Sequence, residues 1–219
     1  MTAQDKQQSN PFSTGGGGGV FENRVQAAFT VLMLTGGVAP CLPSWPITKI
    51  RLQGKYAGFD TEDCIAYVQD IQTRKECRLL AQIKHAISIT DGDMKFSKTI
   101  LLAWNDFNNP NIFSEGTDAI ALITGPLTAT DINHVRPLLE WARHCANAEE
   151  FFSKVNTAKF SSEDKRDKLG VFRNHLKSAN GGTDVEDERL WRFLKSYHLI
   201  GYDLDAENGS SLSLLHTLI

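Results

Sequence analysis

Four short apolar segments restrict the fold of this chain more than any other feature. ITKIRLQ (47–53) alternates between apolar and polar residues, as a strand with one buried face does. CIAYVQ (64–69) and RLLAQIKHA (78–86) are joined by a short polar connection, which predicts an antiparallel hairpin. AIALITG (119–125) is an uninterrupted apolar run and predicts a central strand. We therefore expect these segments to form a sheet.

Helical segments separate and follow these strands. VFENRVQAAFTVLMLT (20–35) has apolar residues at helical spacing, and MKFSKTILLAWNDFNN (94–109) and TATDINHVRPLLEWARHC (128–145) are also helical in pattern. The sequence from residue 148 onward is mainly helical, apart from LIGYDLD (199–205), which predicts a short edge strand. The order helix, three strands, helix, strand, helix predicts an α/β fold with a central mixed sheet flanked by helices.

The chain divides into three predicted parts. Residues 1–19 are polar and then glycine-rich, which is typical of a flexible arm. Residues 20–147 form the predicted core, and residues 148–219 form a helical extension. The last eight residues, LSLLHTLI, stop inside an apolar pattern, which favours a chain that continues into a further module. A natural terminus packed on the core is the alternative.

Composition indicates a cytoplasmic protein. Hydrophobic residues make up 41% of the chain and charged residues 22%, which is typical of a globular domain. The sequence has no apolar run of the length that crosses a membrane, and its polar N-terminus lacks the apolar centre of a signal peptide. The four cysteines lack zinc-ligand spacing, and reduced thiols fit them best.

Basic and acidic residues cluster in different segments of the chain, although the net charge is only −3. Residues 154–177 contain seven Lys or Arg and three acids, whereas residues 184–207 contain seven acids and three bases. The basic segment favours contact with a polyanion, and we expect Lys165, Arg166 and Lys168 to contact DNA phosphates. An ordinary solvated helix face is the alternative.

Two polar residues interrupt the strand at 78–86. Gln82 and Lys84 are two positions apart, so their side chains point to the same face of a strand. Asp63 immediately precedes the neighbouring strand, and adjacent strands lie about 4.8 Å apart. Carboxylate and amide oxygens suit Mg²⁺, and a lysine beside the metal can stabilise charge that develops on a phosphate. Asp63, Gln82 and Lys84 therefore predict a metal site for phosphodiester hydrolysis.

Other interpretations of these residues stay open. Asp60 or Glu62 could be the metal ligand instead of Asp63, because sequence fixes the start of a strand only to within about two to four residues. The same acidic cluster is typical of a solvated turn, and Lys84 could reach solvent from an edge strand. Glu22 could be an acid in the first turn of its helix, where the dipole favours it.

The pattern D…QxK across two strands, after a helix that bears a glutamate, resembles the PD-(D/E)xK nuclease superfamily. More narrowly, NPFSTGGGGGVFENRVQAAF, GFDTEDCIAYV and LLAQIKHA, followed by AIALITG, resemble the N-terminal double-stranded DNA endonuclease domain of bacterial antiphage effectors. That domain occurs in CBASS effectors of the CD-NTase-associated type and in some STAND-type (AVAST) NTPases. The resemblance covers roughly residues 9 to 215 and implies a restriction-endonuclease-like core.

The resemblance also implies roles for individual residues. Asp63 matches the metal-binding aspartate, Gln82 the second metal ligand and Lys84 the catalytic lysine of the family. Glu22, in the first helix, matches the accessory glutamate that some members use near the metal. The implied cofactor is Mg²⁺, with Mn²⁺ as an alternative. Gln82 departs from the commoner Glu or Asp, and a neutral amide is a weaker ligand than a carboxylate.

The function implied is metal-dependent cleavage of double-stranded DNA by the effector domain of a bacterial antiphage defence protein. The resemblance further implies a C-terminal sensor or NTPase module outside this sequence and homo-oligomerisation on activation. The alternative is a catalytically inactive nucleic-acid-binding or assembly domain that retains the fold, which Gln82 favours. A third hypothesis, a metal-independent interaction domain, rests on the charge-sorted helices after residue 148.

Overall fold

A computed structural model describes residues 17–204 and 209–217, which form five strands and seven α-helices. The strands are β1 (Ile47–Leu52), β2 (Cys64–Gln69), β3 (Glu76–Lys84), β4 (Ala119–Thr124) and β5 (Tyr197–Gly201). The helices are α1 (Gly17–Leu34), α2 (Met94–Phe107), α3 (Arg136–His144), α4 (Ala148–Asn156), α5 (Glu163–Ala179), α6 (Asp187–Ser196) and α7 (Ser210–His216). A 3₁₀ turn at Gly54–Ala57 and a π-helical turn at Asp131–Val135 complete the description.

The strands form one mixed sheet in the order β1-β2-β3-β4-β5. The first three strands pair antiparallel, and β4 and β5 join in parallel, so the predicted hairpin and the predicted central strand are confirmed. Cys64 of β2 lies opposite Ala81 of β3. Because of this register, Asp63, the residue before β2, lies beside the end of β3 that carries Gln82 and Lys84.

Side-chain alternation gives the sheet two buried faces. Leu79, Ala81 and Ile83 of β3 pack in the core that α1 covers. Leu80 packs in a second core, which helices α2 to α6 cover, and Gln82 follows on the same face by alternation. Strand β3 is buried on both faces because the sheet is sandwiched between helices, as an α/β fold requires.

Helix α1 begins earlier than the sequence predicts. It includes Gly17 to Gly19, the last three residues of the predicted flexible arm, whereas the rest of that arm lies outside the described residues. Glu22 is therefore the sixth residue of the helix. The interpretation of Glu22 as a first-turn acid is wrong, since the first turn of α1 has no acid.

The segment 148–219 supplies the fifth strand as well as four helices. The edge strand predicted at 199–205 is present as β5, which begins two residues earlier and lies at the edge of the sheet. Residues of α4, α5 and α6 share one hydrophobic core with α2, α3 and the central strands. Within the described part of the chain, none of the helices has the length and apolar character that crossing a membrane requires.

Candidate functional site

The loop between β1 and β2, residues 53–63, is held in one conformation by several backbone contacts. The Gly54 N–H donates to the Glu62 carbonyl at 2.7 Å, which closes the loop at its base. The buried Asp106 carboxylate of α2 accepts the N–H groups of Asp60 at 2.9 Å and of Thr61 at 2.7 Å. These bonds fix the chain immediately before β2 and so fix the position of Asp63.

The Asp63 carboxylate meets the end of β3. Its Oδ2 atom accepts hydrogen bonds from the Gln82 amide, from the Ile83 N–H at 2.7 Å and from Lys84 Nζ at 2.9 Å. The structure therefore brings together the aspartate, glutamine and lysine that the sequence singles out. All three bonds end on Oδ2, so Oδ1 accepts none of them.

Gln82 presents an oxygen that lacks a partner. The residue is only 4% exposed, and its Oε1 is buried without a hydrogen bond, in the part of the chain that the structure describes. A buried polar atom without a partner costs about 1–3 kcal/mol. An oxygen of this kind, beside a carboxylate, is suited to accept a cation or a water that accompanies one.

Lys84 lies between protein and solvent. Its ammonium group donates to Asp63 Oδ2 and, at 2.9 Å, to the Ile83 carbonyl, while 32% of its side chain remains exposed. The neighbouring Asp63 side chain is 12% exposed. The interpretation of Lys84 as a lysine that merely reaches solvent does not account for this ion pair.

Glu22, on α1, is linked to Asp63 through the side chain of Gln26. The Gln26 amide donates to Glu22 Oε1 at 3.1 Å and to the Asp63 carbonyl at 3.0 Å. Burial raises the pKa of Glu22, and the negative charge of Asp63 raises it further, whereas the Lys84 ammonium opposes the shift. The predicted accessory glutamate thus lies within electrostatic reach of both residues.

The structure distinguishes among the three acids before β2. Asp60 faces α2, where its Oδ2 accepts from the Asn105 amide at 2.9 Å. Glu62 contributes to raising the pKa of Glu22, but only Asp63 contacts Gln82 and Lys84. Asp63 is accordingly the residue placed to act as the carboxylate ligand.

These residues fit a small hard cation with few protein ligands. They offer Asp63 Oδ1, the unpartnered Gln82 Oε1 and the nearby Glu22 carboxylate, which are the hard oxygen donors that Mg²⁺ prefers. Within residues 17–204 and 209–217, no cluster of three or more His, Cys, Asp or Glu has the arrangement of a metal site.

Each of the three cations predicted to contact DNA has a neighbour within the protein. Lys165 lies 5.5 Å from the ring centroid of Trp141, and Arg166 donates to the Ser161 carbonyl at 2.8 Å. Lys168 donates to the Ile89 carbonyl at 2.6 Å. Their charged groups point to three different neighbours, so they do not form one free cationic surface.

Two residues that support the site were not predicted. Asp106 orients the loop through two backbone N–H groups, and Gln26 links Glu22 to Asp63. Both act across long sequence separations. Gln26 lies one helical turn after Glu22, and that spacing was the only available signal, whereas Asp106 lies inside WNDFNN with nothing to distinguish it.

Comparisons with protein-family models, with curated proteins and with solved structures each find no match. What supports an assignment is therefore the set of residues described above and the α/β fold that positions them.

Proposed function

We propose that this chain is a metal-dependent endonuclease domain that hydrolyses phosphodiester bonds of double-stranded DNA, built on a restriction-endonuclease-like core. The observation that carries the proposal is the contact of Asp63 with both Gln82 and Lys84 at one end of the sheet. Glu22, linked through Gln26, adds a second carboxylate beside them. This is the arrangement that the QxK pattern predicts for a nuclease.

Each residue has a distinct role in the proposed reaction. Asp63 and Gln82 would hold Mg²⁺, or Mn²⁺ in its place, with the Glu22 carboxylate in an accessory role. The metal supplies Lewis-acid stabilisation of the phosphate and a more acidic bound water. Lys84 stabilises the negative charge that develops on the phosphate, or orients the attacking water, from its position beside Asp63.

The resemblance noted in the sequence extends the proposal to the biological setting. The domain would serve a bacterial antiphage effector in the cytoplasm, with a C-terminal sensor or NTPase module and with homo-oligomerisation on activation. The net charge of −3 suits a nuclease that is held inactive until oligomerisation brings several copies onto DNA.

Plasmid cleavage with two matched variants tests the proposal. Asp63→Asn should lower Mg²⁺-dependent cleavage by about a hundredfold or more, because it removes the charged oxygen donor. Asp60→Asn changes the same chemistry in the same loop and should retain cleavage, since Asp60 faces Asn105. Cleavage that persists in EDTA, or that survives Asp63→Asn, would refute the mechanism.

The second candidate function is a nucleic-acid-binding or assembly domain without catalysis. The observation that favours it is that Asp63 Oδ2 is already occupied by three donors, while the second ligand position carries a neutral amide. DNA binding by the wild-type protein, without cleavage in Mg²⁺ or Mn²⁺ in an assembled state, would support this candidate.

A further inference from the structure

Strand β1 and the turn that follows it contain positively charged residues and no acids, and they lead to the loop of the candidate site. Residues 47–59, ITKIRLQGKYAGF, contain Lys49, Arg51 and Lys55 and no acid. We refer to these three cations as the basic edge. Strand β1 is the first strand of the sheet and, among the described strands, pairs with β2 alone, so one side of its backbone lies at the edge. The chain leaves β1 through the 53–63 loop that ends at Asp63.

The cations of the basic edge are not neutralised by the protein. None of the three forms an ion pair within the described part of the chain, and Lys49 and Lys55 are exposed. Lys49 lies 4.5 Å from the ring centroid of Tyr67, and the Arg51 Nε atom is buried without a hydrogen-bond partner. Lys49 and Arg51 share one strand face by alternation.

An exposed aromatic residue lies at the tip of the same segment. Tyr56, on the 3₁₀ turn, is 95% exposed, more than any other large hydrophobic side chain in the described residues. The turn is anchored on both sides by the Gly54–Glu62 bond and by the buried Phe59. Gly58, with φ of 88°, turns the chain back toward Phe59. Tyr56 is thus held outward by the fold of its loop.

We propose that the basic edge and Tyr56 bind the phosphodiester backbone of the DNA substrate and lead the strand to Asp63 and Lys84. The inference rests on the proposed function. Within the described residues, none of the cations of the basic edge donates a side-chain hydrogen bond, whereas Arg166 and Lys168 of α5 donate to backbone carbonyls. Cations that are free to neutralise phosphates release counterions when they do so. The Tyr56 ring supplies an apolar contact to a sugar or base, which is the chemistry that aromatic side chains give to nucleic-acid surfaces. The main phosphate contacts are thereby assigned to β1 and not to α5.

Lysines on an edge strand can also serve a second purpose, and the experiment has to distinguish that purpose from DNA binding. Charged residues on an edge strand prevent its pairing with another chain. If that were the only use of Lys49 and Lys55, neutralising them would cause association of the protein and leave its affinity for DNA unchanged. Asp60 and Glu62 follow the turn and repel phosphates, which restricts the proposed contact to the β1 side of the loop.

The experiment measures duplex DNA binding over a range of salt concentrations in a Lys84→Ala background, without divalent metal. Changing Lys49, Arg51 and Lys55 to Gln should weaken binding at low salt by at least tenfold. It should also reduce the magnitude of the negative slope of log affinity against log salt by about 2 to 3, because each lost phosphate contact contributes about 0.9. The matched control changes Lys165, Arg166 and Lys168 to Gln, which removes the same charge from α5. We expect that control to change the slope by less than about 1.

Additional variants keep the test informative if the half-buried Arg51 cannot be replaced. The double variant Lys49→Gln, Lys55→Gln alters only exposed residues and should lower the salt slope by about 2. Tyr56→Ala should weaken binding about fivefold or more, and Tyr56→Phe should retain it. Ile71→Ala, an exposed residue in the turn at the other end of β2 and β3, should have no effect.

The outcomes separate this inference from the proposed function. An unchanged salt slope in the double variant, with cleavage by the otherwise wild-type protein intact, would overturn the assignment to β1 and leave the nuclease proposal standing. A larger loss in the α5 variant would overturn it in favour of that helix. A Lys84→Ala protein that fails to bind duplex DNA at low salt, in an assembled state, would overturn both proposals.

Discussion

Lys84 Nζ and Asp63 Oδ2 lie 2.9 Å apart, so the candidate catalytic lysine and the candidate metal ligand form an ion pair at the end of the central strands. The same carboxylate oxygen accepts the backbone N–H of Ile83. The pair is therefore attached to the main chain of β3 as well as to its side chains.

We predict that Lys84→Ala removes DNA cleavage while leaving the fold in place. The loss should be about a hundredfold or more, because the ammonium group stabilises charge in the transition state more than in the bound substrate. Plasmid cleavage and duplex binding would be measured on the same preparation, with affinity expected to remain within about threefold. Lys75→Ala, an exposed lysine in the turn between β2 and β3, is the control. Undiminished cleavage would exclude a catalytic role for Lys84.

A second prediction concerns Gln82→Glu. The change replaces the amide that donates to Asp63 with a second carboxylate, and two neighbouring carboxylates repel. We expect the metal-free variant to melt at a lower temperature than the wild type. Added Mg²⁺ should raise its melting temperature by more than it raises that of the wild type, because ligand binding stabilises the folded state. An equal Mg²⁺-induced shift in both proteins would argue against Gln82 as a ligand.

Glu22→Gln should affect stability and cleavage in opposite directions. The pKa of Glu22 is raised in the folded protein, so this residue contributes a loss of stability as pH rises from the ordinary value of 4.5 through the raised pKa. In EDTA, the variant should be more stable than the wild type at pH 7.5, and the difference should vanish near pH 4. Cleavage in Mg²⁺ should fall. Unchanged cleavage would make Glu22 a structural acid.

The fourth prediction tests the support of the 53–63 loop. In the wild type, the two oxygens of Asp106 accept the N–H groups of Asp60 and Thr61. Asp106→Asn keeps one of these oxygens and replaces the other with an amide N–H₂ group, which cannot accept the backbone N–H that faces it. We expect unfolding in denaturant to show a loss of about 1–3 kcal/mol. Cleavage should fall as well, since the loop positions Asp63. The control is Asp167→Asn, an exposed acid of α5, which should change neither quantity.

The sequence predicted the central part of the fold because local patterns determine it. Strand β2 begins and ends where predicted, and the hairpin register follows from the alternation of β2 and β3. That register is sufficient to bring Asp63 to Gln82 and Lys84. The choice among Asp60, Glu62 and Asp63 needed coordinates, because a shift of one residue exchanges the faces of a strand.

The remaining features depend on contacts between distant segments. Asp106 bonds to residues about 45 positions away, and periodicity carries no information about such a contact. The charge count favoured residues 154–177, yet Lys165 and Lys168 turn toward Trp141 and the Ile89 carbonyl. Composition shows how many cations a segment has, but only the fold shows which of them lack partners.

The bond from the Ile83 N–H to the Asp63 carboxylate joins the candidate site to the main chain of the hairpin. Ile83 lies beyond the last ladder pair of β2 and β3, and its N–H is taken up by a side chain where a backbone carbonyl would otherwise accept it. The contact that holds Asp63 beside Gln82 and Lys84 therefore also extends the β2–β3 hairpin beyond its last backbone pair. Under the proposed function, the candidate groups would be oriented before any substrate arrives, and little reorganisation would remain.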